Sequence, residues 1–186
     1  KIRAAAESLD IGPVEDPKNA FGAVIDDKAK NRIQEAIAIG KEEGTTVLEK
    51  WPEQDSGYFA PLAIFSDIRP EHRLAQEEFF GPVLAIMKAK DFDEALEMAN
   101  SSAYALTGGV YSRHPGNIEK ACKAFQVGNL YINRGITGAL VGRHPFGGFS
   151  LSGDGSKAGG PDYLKEFTVC KTTVENTFRS GFAPME

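Results

Sequence analysis

The order of apolar segments predicts an α/β fold, with a mostly parallel sheet, helices on both of its faces, and one further strand at the end of the chain. Three observations carry this. Between Pro82 and Asn133, short apolar runs alternate with helix-period stretches in β-α-β-α-β order, and parallel neighbours need such crossovers. The helix boundaries are punctuated: Gly44 follows one periodic stretch, Asp91 with Glu94 opens a second, and Pro115 opens a third. TVCKTTVENTF near the end alternates like a strand with a polar face, which predicts an addition to some sheet, that of another subunit included.

Element by element, KIRAAAESLD reads as a helix with Ile2, Ala5, Ala6 and Leu9 on one face. The chain has no Met at its start and begins inside that pattern, so the expectation is a segment of something longer. IGPVEDPKNAFG is a loop whose Ile11, Val14 and Phe21 dip into the core. Residues 26 to 43 form a helix with Ile33, Ala36 and Ile37 inward, and Gly44 stands where a left-handed cap is expected. TTVLEK is a strand. GYFAPLAIFSD is another, which Pro61 confines to an edge or breaks. PVLAIMKAK is a buried run of the parallel-sheet kind, and FDEALEMAN is a helix with Phe92, Ala95, Leu96 and Ala99 inward. GGVYS is a short strand. The helix from Pro115 carries Ile118, Ala121, Cys122 and Phe125 on its apolar side, and GNLYIN returns as a strand. At Asn133 that strand enters a long loop with nine glycines, before the brief helix DYLKEF. A loop of that length in a compact domain usually has a task, and strand C-terminal ends are where open α/β sheets bind ligands.

Composition narrows the function. With 186 residues, 41% hydrophobic, the chain buries a real core. Its 21 Lys and Arg stand against 26 Asp and Glu without a basic block, which gives no electrostatic surface for nucleic acid and points to a small-molecule or protein partner. No apolar run approaches the roughly 18 residues of a membrane span. Cys122 and Cys170 form no CxxC pair, so neither a disulfide framework nor a zinc site is indicated, and a reducing cytoplasm, or mitochondrial matrix in a eukaryote, is expected. Both thiols read as buried and structural. His72, His114 and His144 have no metal-ligand spacing. GDGSKA at 153 to 158 fits a GxGxxA dinucleotide fingerprint in letters only, because no strand precedes it and no helix follows.

EEFFGP at 77 to 82 and PFGGFSLSG at 145 to 153 are each explicable as turns. With LTGGVYS and GNLYIN between them, the set resembles the aldehyde dehydrogenase superfamily over roughly residues 10 to 175. INRGITGALVGRHPFGG and SGDGSKAGGPDYL are similar to its 1-pyrroline-5-carboxylate (L-glutamate γ-semialdehyde) dehydrogenase branch. The resemblance implies that residues 1–165 are part of a catalytic domain and that 166–186 are an oligomerisation strand and tail of a homo-oligomer. It implies NAD as cofactor, with Glu78 bonding the nicotinamide-side ribose, Phe80 beside it, and Glu77 as the near alternative. A carboxylate suits that role because it accepts two hydrogen bonds from a diol. The same resemblance implies that Gly138 and Ala139 hold the substrate's α-carboxylate through backbone N–H groups, and that Phe146 packs on its methylene chain. Glycine allows both the close approach and the φ > 0 geometry such a nest needs. Asn133 reads either as a cleft residue or as a turn cap.

Chemistry of this kind needs a Cys nucleophile, oxyanion donors and a Glu base. Neither thiol here stands in a glycine-rich context, so the nucleophile is expected before Lys1, in an N-terminal segment of the same enzyme that would complete the site. The chain alone is expected to be inactive. Two other readings are a succinate semialdehyde dehydrogenase branch and a non-enzymatic binding or oligomerisation module.

Overall fold

The computed structural model describes residues 1–54 and 56–177. In chain order it contains α1 (Ile2–Glu7), β1 (Asp10–Ile11), β2 (Asn19–Phe21), α2 (Asp27–Glu43), β3 (Thr45–Lys50), β4 (Leu62–Ser66), α3 (Arg73–Gln76) and β5 (Val83–Ala85). There follow α4 (Phe92–Ala99), β6 (Tyr104–Ala105), β7 (Thr107–Val110), α5 (Pro115–Ala124), β8 (Asn129–Ile132), β9 (Phe149–Ser150) and a 3-10 turn at Tyr163–Phe167.

β4 organises the first half. Its side chains alternate across the sheet, so Ala63 and Phe65 meet Ile33, Ala36 and Ile37 of α2 on one face, while Leu62 and Ile64 meet Ala6 and Ile11 on the other. Burying side chains of the size of Phe65 or Ile33 contributes about 1.5–3 kcal/mol each, and these two are wholly enclosed. α2 starts where Asp26 accepts a 2.8 Å hydrogen bond from the Ala29 N–H. It does not end in a left-handed glycine. Gly44 is extended, with φ −147°. Space is what requires glycine there, since a Cβ would lie 2.5 Å from Ile68 Cδ1 and 2.6 Å from the Ser66 carbonyl.

Pro61 precedes the first paired residue, so β4 occupies the centre of the order β3-β4-β5 rather than an edge. β5 runs parallel to β4, with α3 in the connection, whereas β3 is antiparallel to β4 because no crossover helix joins them. In the second half, α5 connects the parallel pair β7–β8. Asp91 caps α4 through the Glu94 N–H at 2.9 Å, and Glu94 reaches back to the Lys90 N–H. The fold is thus α/β with parallel pieces and helices, but its strands fall into separate small sheets. One pairing crosses the glycine-rich loop, where β9 runs antiparallel to β6.

Several inward assignments fail for one reason: a short helix touches its sheet along a narrow stripe. In α1 only Ala6 is buried, in α4 only Leu96, and in α5 only Ala121, leaving Ala5, Ala95, Ala99 and Cys122 exposed. Val14 is also exposed. Within TVCKTTVENTF, residues 168–177 pair with no strand among the described residues, and Phe178 with the rest of the tail to 186 lies outside them.

Candidate active site

The EEFFGP segment is held by α2. Glu43, its last residue, accepts hydrogen bonds from the Arg73 and Leu74 N–H groups at 2.9 Å each, so its carboxylate caps α3. Arg73 then grips Glu77 with two hydrogen bonds of 2.6 and 3.0 Å. That contact, foremost the hydrogen bond, holds the Glu77 carboxyl below its ordinary range. The neighbouring Glu78 is exposed, and its carboxylate meets no hydrogen-bond partner among the described residues.

Further along, the Arg32 Nε–H donates to the Phe79 carbonyl at 3.0 Å, and its guanidinium lies 5.9 Å from the Phe80 ring. Phe80 is 73% exposed with φ +51°, a conformation that costs a bulky residue about 1–3 kcal/mol and persists only where its surroundings impose it. Gly81 is one such constraint: a Cβ there would lie 2.4 Å from Ile33 Cγ1, so only glycine lets the turn sit on α2. A free carboxylate beside a protruding aromatic face is an arrangement that can accept a diol and shield a planar ring.

A second group lies beyond β8. Asn133, at φ +54°, accepts from the Ser112 N–H and donates to the Ser112 carbonyl, both at 2.9 Å, thereby tying the ends of β7 and β8 together. Both ends of its amide are engaged in this, which is a capping contact. Past it, Gly138 has φ +90°, and neither its N–H nor that of Ala139 donates to any acceptor among the described residues. Ala139 lines an open groove of about 440 Å³ with Leu140, Val141, His144 and Phe146. The structure therefore brings Ala139 and Phe146 together on one apolar trough, with Gly138 next to Ala139 in the chain. Phe146 is 37% exposed on this groove.

Beneath the groove, the backbone of Pro145–Gly148 rests on β8. Asn129 donates to the Pro145 carbonyl at 2.9 Å and accepts from the Gly147 N–H at 3.3 Å. Lys157 reaches the Gly128 carbonyl at 2.6 Å and also the Gly147 carbonyl, with its ammonium 5.3 Å from the Phe149 ring. Burial pushes this ammonium below the usual lysine range. Sequence reasoning missed Arg32, Asn129 and Lys157, since each works through a partner distant in sequence, and it missed Arg73 although Glu77 stands at the i,i+4 spacing of a helix pair. Lys157 stood inside the GDGSKA stretch that was set aside. The two thiols are not buried as expected: Cys122 is turned out of α5 beside the buried Ala121, and Cys170 is exposed in the segment after the 3-10 turn.

A model of the aldehyde dehydrogenase family matches residues 1–173. The chain belongs to that family. Among curated relatives of this aldehyde dehydrogenase segment, 1-pyrroline-5-carboxylate dehydrogenase of Anoxybacillus flavithermus is 51% identical over 94% of the chain. The chain spans about a third of that relative's length, 34%. Thermus 1-pyrroline-5-carboxylate dehydrogenase, solved with bound NAD, superposes with a TM-score of 0.84 at 49% identity, over 88% of this chain and 32% of that one. Proline utilization A from Bdellovibrio bacteriovorus, solved after inactivation by N-propargylglycine, gives 0.87 at 51% identity, over 97% and 19% respectively.

Proposed function

We propose that the protein carrying this segment oxidises L-glutamate γ-semialdehyde, the open-chain form of 1-pyrroline-5-carboxylate, to glutamate with NAD. One observation carries the reading beyond family membership: two successive N–H groups, at Gly138 and Ala139, meet no acceptor among the described residues, and Ala139 lines the apolar groove that contains Phe146. Such a site takes a carboxylate at one end and a short methylene chain along its length. Glutamate semialdehyde has both, and it places the aldehyde at the far end of that chain.

The free Glu78 carboxylate and the protruding Phe80 ring fit the nicotinamide-side ribose of NAD. When bound, NAD supplies a hydride acceptor for the aldehyde carbon. What this chain's residues do is bind and orient: Glu78 accepts the diol hydroxyls, Phe80 keeps water from one face, Gly138 and Ala139 donate to the α-carboxylate, and Phe146 excludes water from the methylenes. Arg73 keeps Glu77 out of the same role by occupying its carboxylate.

The reading extends to assembly and place. Residues 168–177, which form no helix or strand among the described residues and bear the exposed Val169 and Val174, join a sheet of another subunit in a homo-oligomer. The enzyme works in the cytoplasm, or in the matrix of a mitochondrion, where its thiols stay reduced. The deciding experiment follows NADH formation by the full-length protein with glutamate semialdehyde and with succinate semialdehyde. Faster turnover per unit concentration of the first supports the anchor; preference for the second, which lacks an α-amino acid end, overturns it.

A further inference from the structure

The backbone on both sides of Phe146 is tied at every polar group. The Pro145 carbonyl accepts from Asn129, and the Phe146 N–H and carbonyl exchange hydrogen bonds of 3.0 and 2.8 Å with Ala158. The Gly147 N–H donates to Asn129, and the Gly147 carbonyl accepts from Lys157. Five consecutive groups are thus satisfied by three residues outside the segment, whereas the N–H groups of Gly138 and Ala139 on the same loop meet no acceptor among the described residues.

Glycine makes the arrangement possible. A Cβ on Gly128 would lie 1.8 Å from the Gly147 carbonyl oxygen, and one on Gly147 would lie 1.8 Å from the Ser156 carbonyl oxygen. Three stretches of backbone are therefore stacked in direct contact, and only in such a stack can one ammonium reach the Gly128 and Gly147 carbonyls together. A lysine bonded to carbonyls and set against an aromatic ring is a fastener with little freedom.

We propose that Lys157 and Asn129 are positioning residues for substrate binding: they fix the Phe146 ring as the floor of the groove without touching the substrate. This rests on the reading of Phe146 as a substrate contact given above. Loss of either clamp lets the segment shift, and the penalty falls on aldehyde binding rather than on cofactor binding.

The test is steady-state kinetics on the full-length enzyme with Phe146→Ala, Lys157→Met, Lys157→Arg and Asn129→Ala, with glutamate semialdehyde and NAD varied separately. Lys157→Met and Asn129→Ala are each expected to raise the aldehyde KM about tenfold while kcat and the NAD KM change less than about twofold, the signature of lost binding shared by ground and transition states. Lys157→Arg, which keeps donors for the carbonyls, is expected to recover part of the loss. A purely structural role would lower the melting temperature or the active fraction and leave the aldehyde KM in place, and that result overturns the proposal. If Lys157→Met does not fold, Asn129→Ala and Lys157→Arg are judged on the same KM criterion. Should Phe146→Ala raise the aldehyde KM while both clamp variants leave it unchanged, positioning is refuted and the substrate reading stands. An unchanged KM in Phe146→Ala removes the substrate role of Phe146, and this proposal with it.

Discussion

Gly40 of α2 faces the ring of Phe65 in β4 so closely that a Cβ at position 40 would lie 2.5 Å from Phe65 Cε2. The ring is fully buried and cannot retreat, so α2 seats on the sheet only through a bare α-carbon. Gly40→Ala is therefore expected to destabilise the protein by about 1–3 kcal/mol through overpacking. Helix propensity alone favours alanine by about 1 kcal/mol, so a thermal melt shows which effect wins. A raised melting temperature would mean that the contact is soft.

Asn133 separates two contributions in one residue. Asn133→Gly keeps the left-handed backbone but drops both hydrogen bonds to Ser112; Asn133→Ala loses the bonds and adds strain. The expected order of stability is wild type, then glycine, then alanine. The first step should be about 1–2 kcal/mol and the second about 1 kcal/mol. Equal losses in the two variants would show that backbone strain plays no part.

The adjacent carboxylates should respond differently. Glu78→Gln is expected to raise the KM for NAD about tenfold, because a charged acceptor of two hydrogen bonds becomes neutral. Glu77→Gln, whose partner is Arg73, is expected to shift that KM much less and to act on α3 instead. Steady-state kinetics with NAD varied decides between them; the reverse pattern would move the ribose to Glu77.

Acid should loosen the same corner. Lys88 foremost, with Ser66, holds Asp67 below its ordinary value of 3.8, and Arg73 holds Glu77 below 4.5. Depressed carboxylates contribute stability that is fully present above those ordinary values and is lost as pH falls through the lower folded ones. Melting temperature is thus expected to drop as pH is lowered past about 4.5, and Glu77→Gln should flatten part of that slope. An identical slope in the variant would remove Glu77 from the account.

Exposure of Cys122 invites a simple control. Cys122→Ser should leave aldehyde oxidation within about twofold of wild type, since the thiol is exposed beside the helix's buried Ala121 and no cation among the described residues pairs with it. Loss of turnover would make it a participant in the chemistry.

How much of this was readable in advance depended on whether the signal was local. α2 announces itself through the helical spacing of Ile33, Ala36 and Ile37, α4 through Asp91 with Glu94, and α5 through Pro115 in its first turn, while β4 and β8 show compact β-branched and aromatic runs. Elements made by distant partners stayed hidden. β9 is two residues long and exists only because β6 is beside it, and the extended Gly44 was misread because its glycine serves Ile68 and Ser66 rather than a turn. At the site, Glu78, Phe80, Gly138, Ala139 and Phe146 came from resemblance. Arg73, which distinguishes the two glutamates, stands at helical i,i+4 spacing from Glu77 and was legible but unread, and Asn133 was read with two alternatives; the side chains of Asn100 and Asn129, each bridging to backbone on another element, carry no periodicity from which they could have been read.

The stacked glycines also say where this trough can be redesigned. At Gly128 and Gly147 any side chain would collide with main chain, which cannot rotate away, so the support beneath Phe146 is closed to variation one residue at a time. Leu140 and Val141 stand at the exposed rim, 50% and 85% accessible, where a change in bulk displaces little but solvent. New preferences among aldehydes should therefore arise by selection at the rim, with the glycines beneath passed on unaltered.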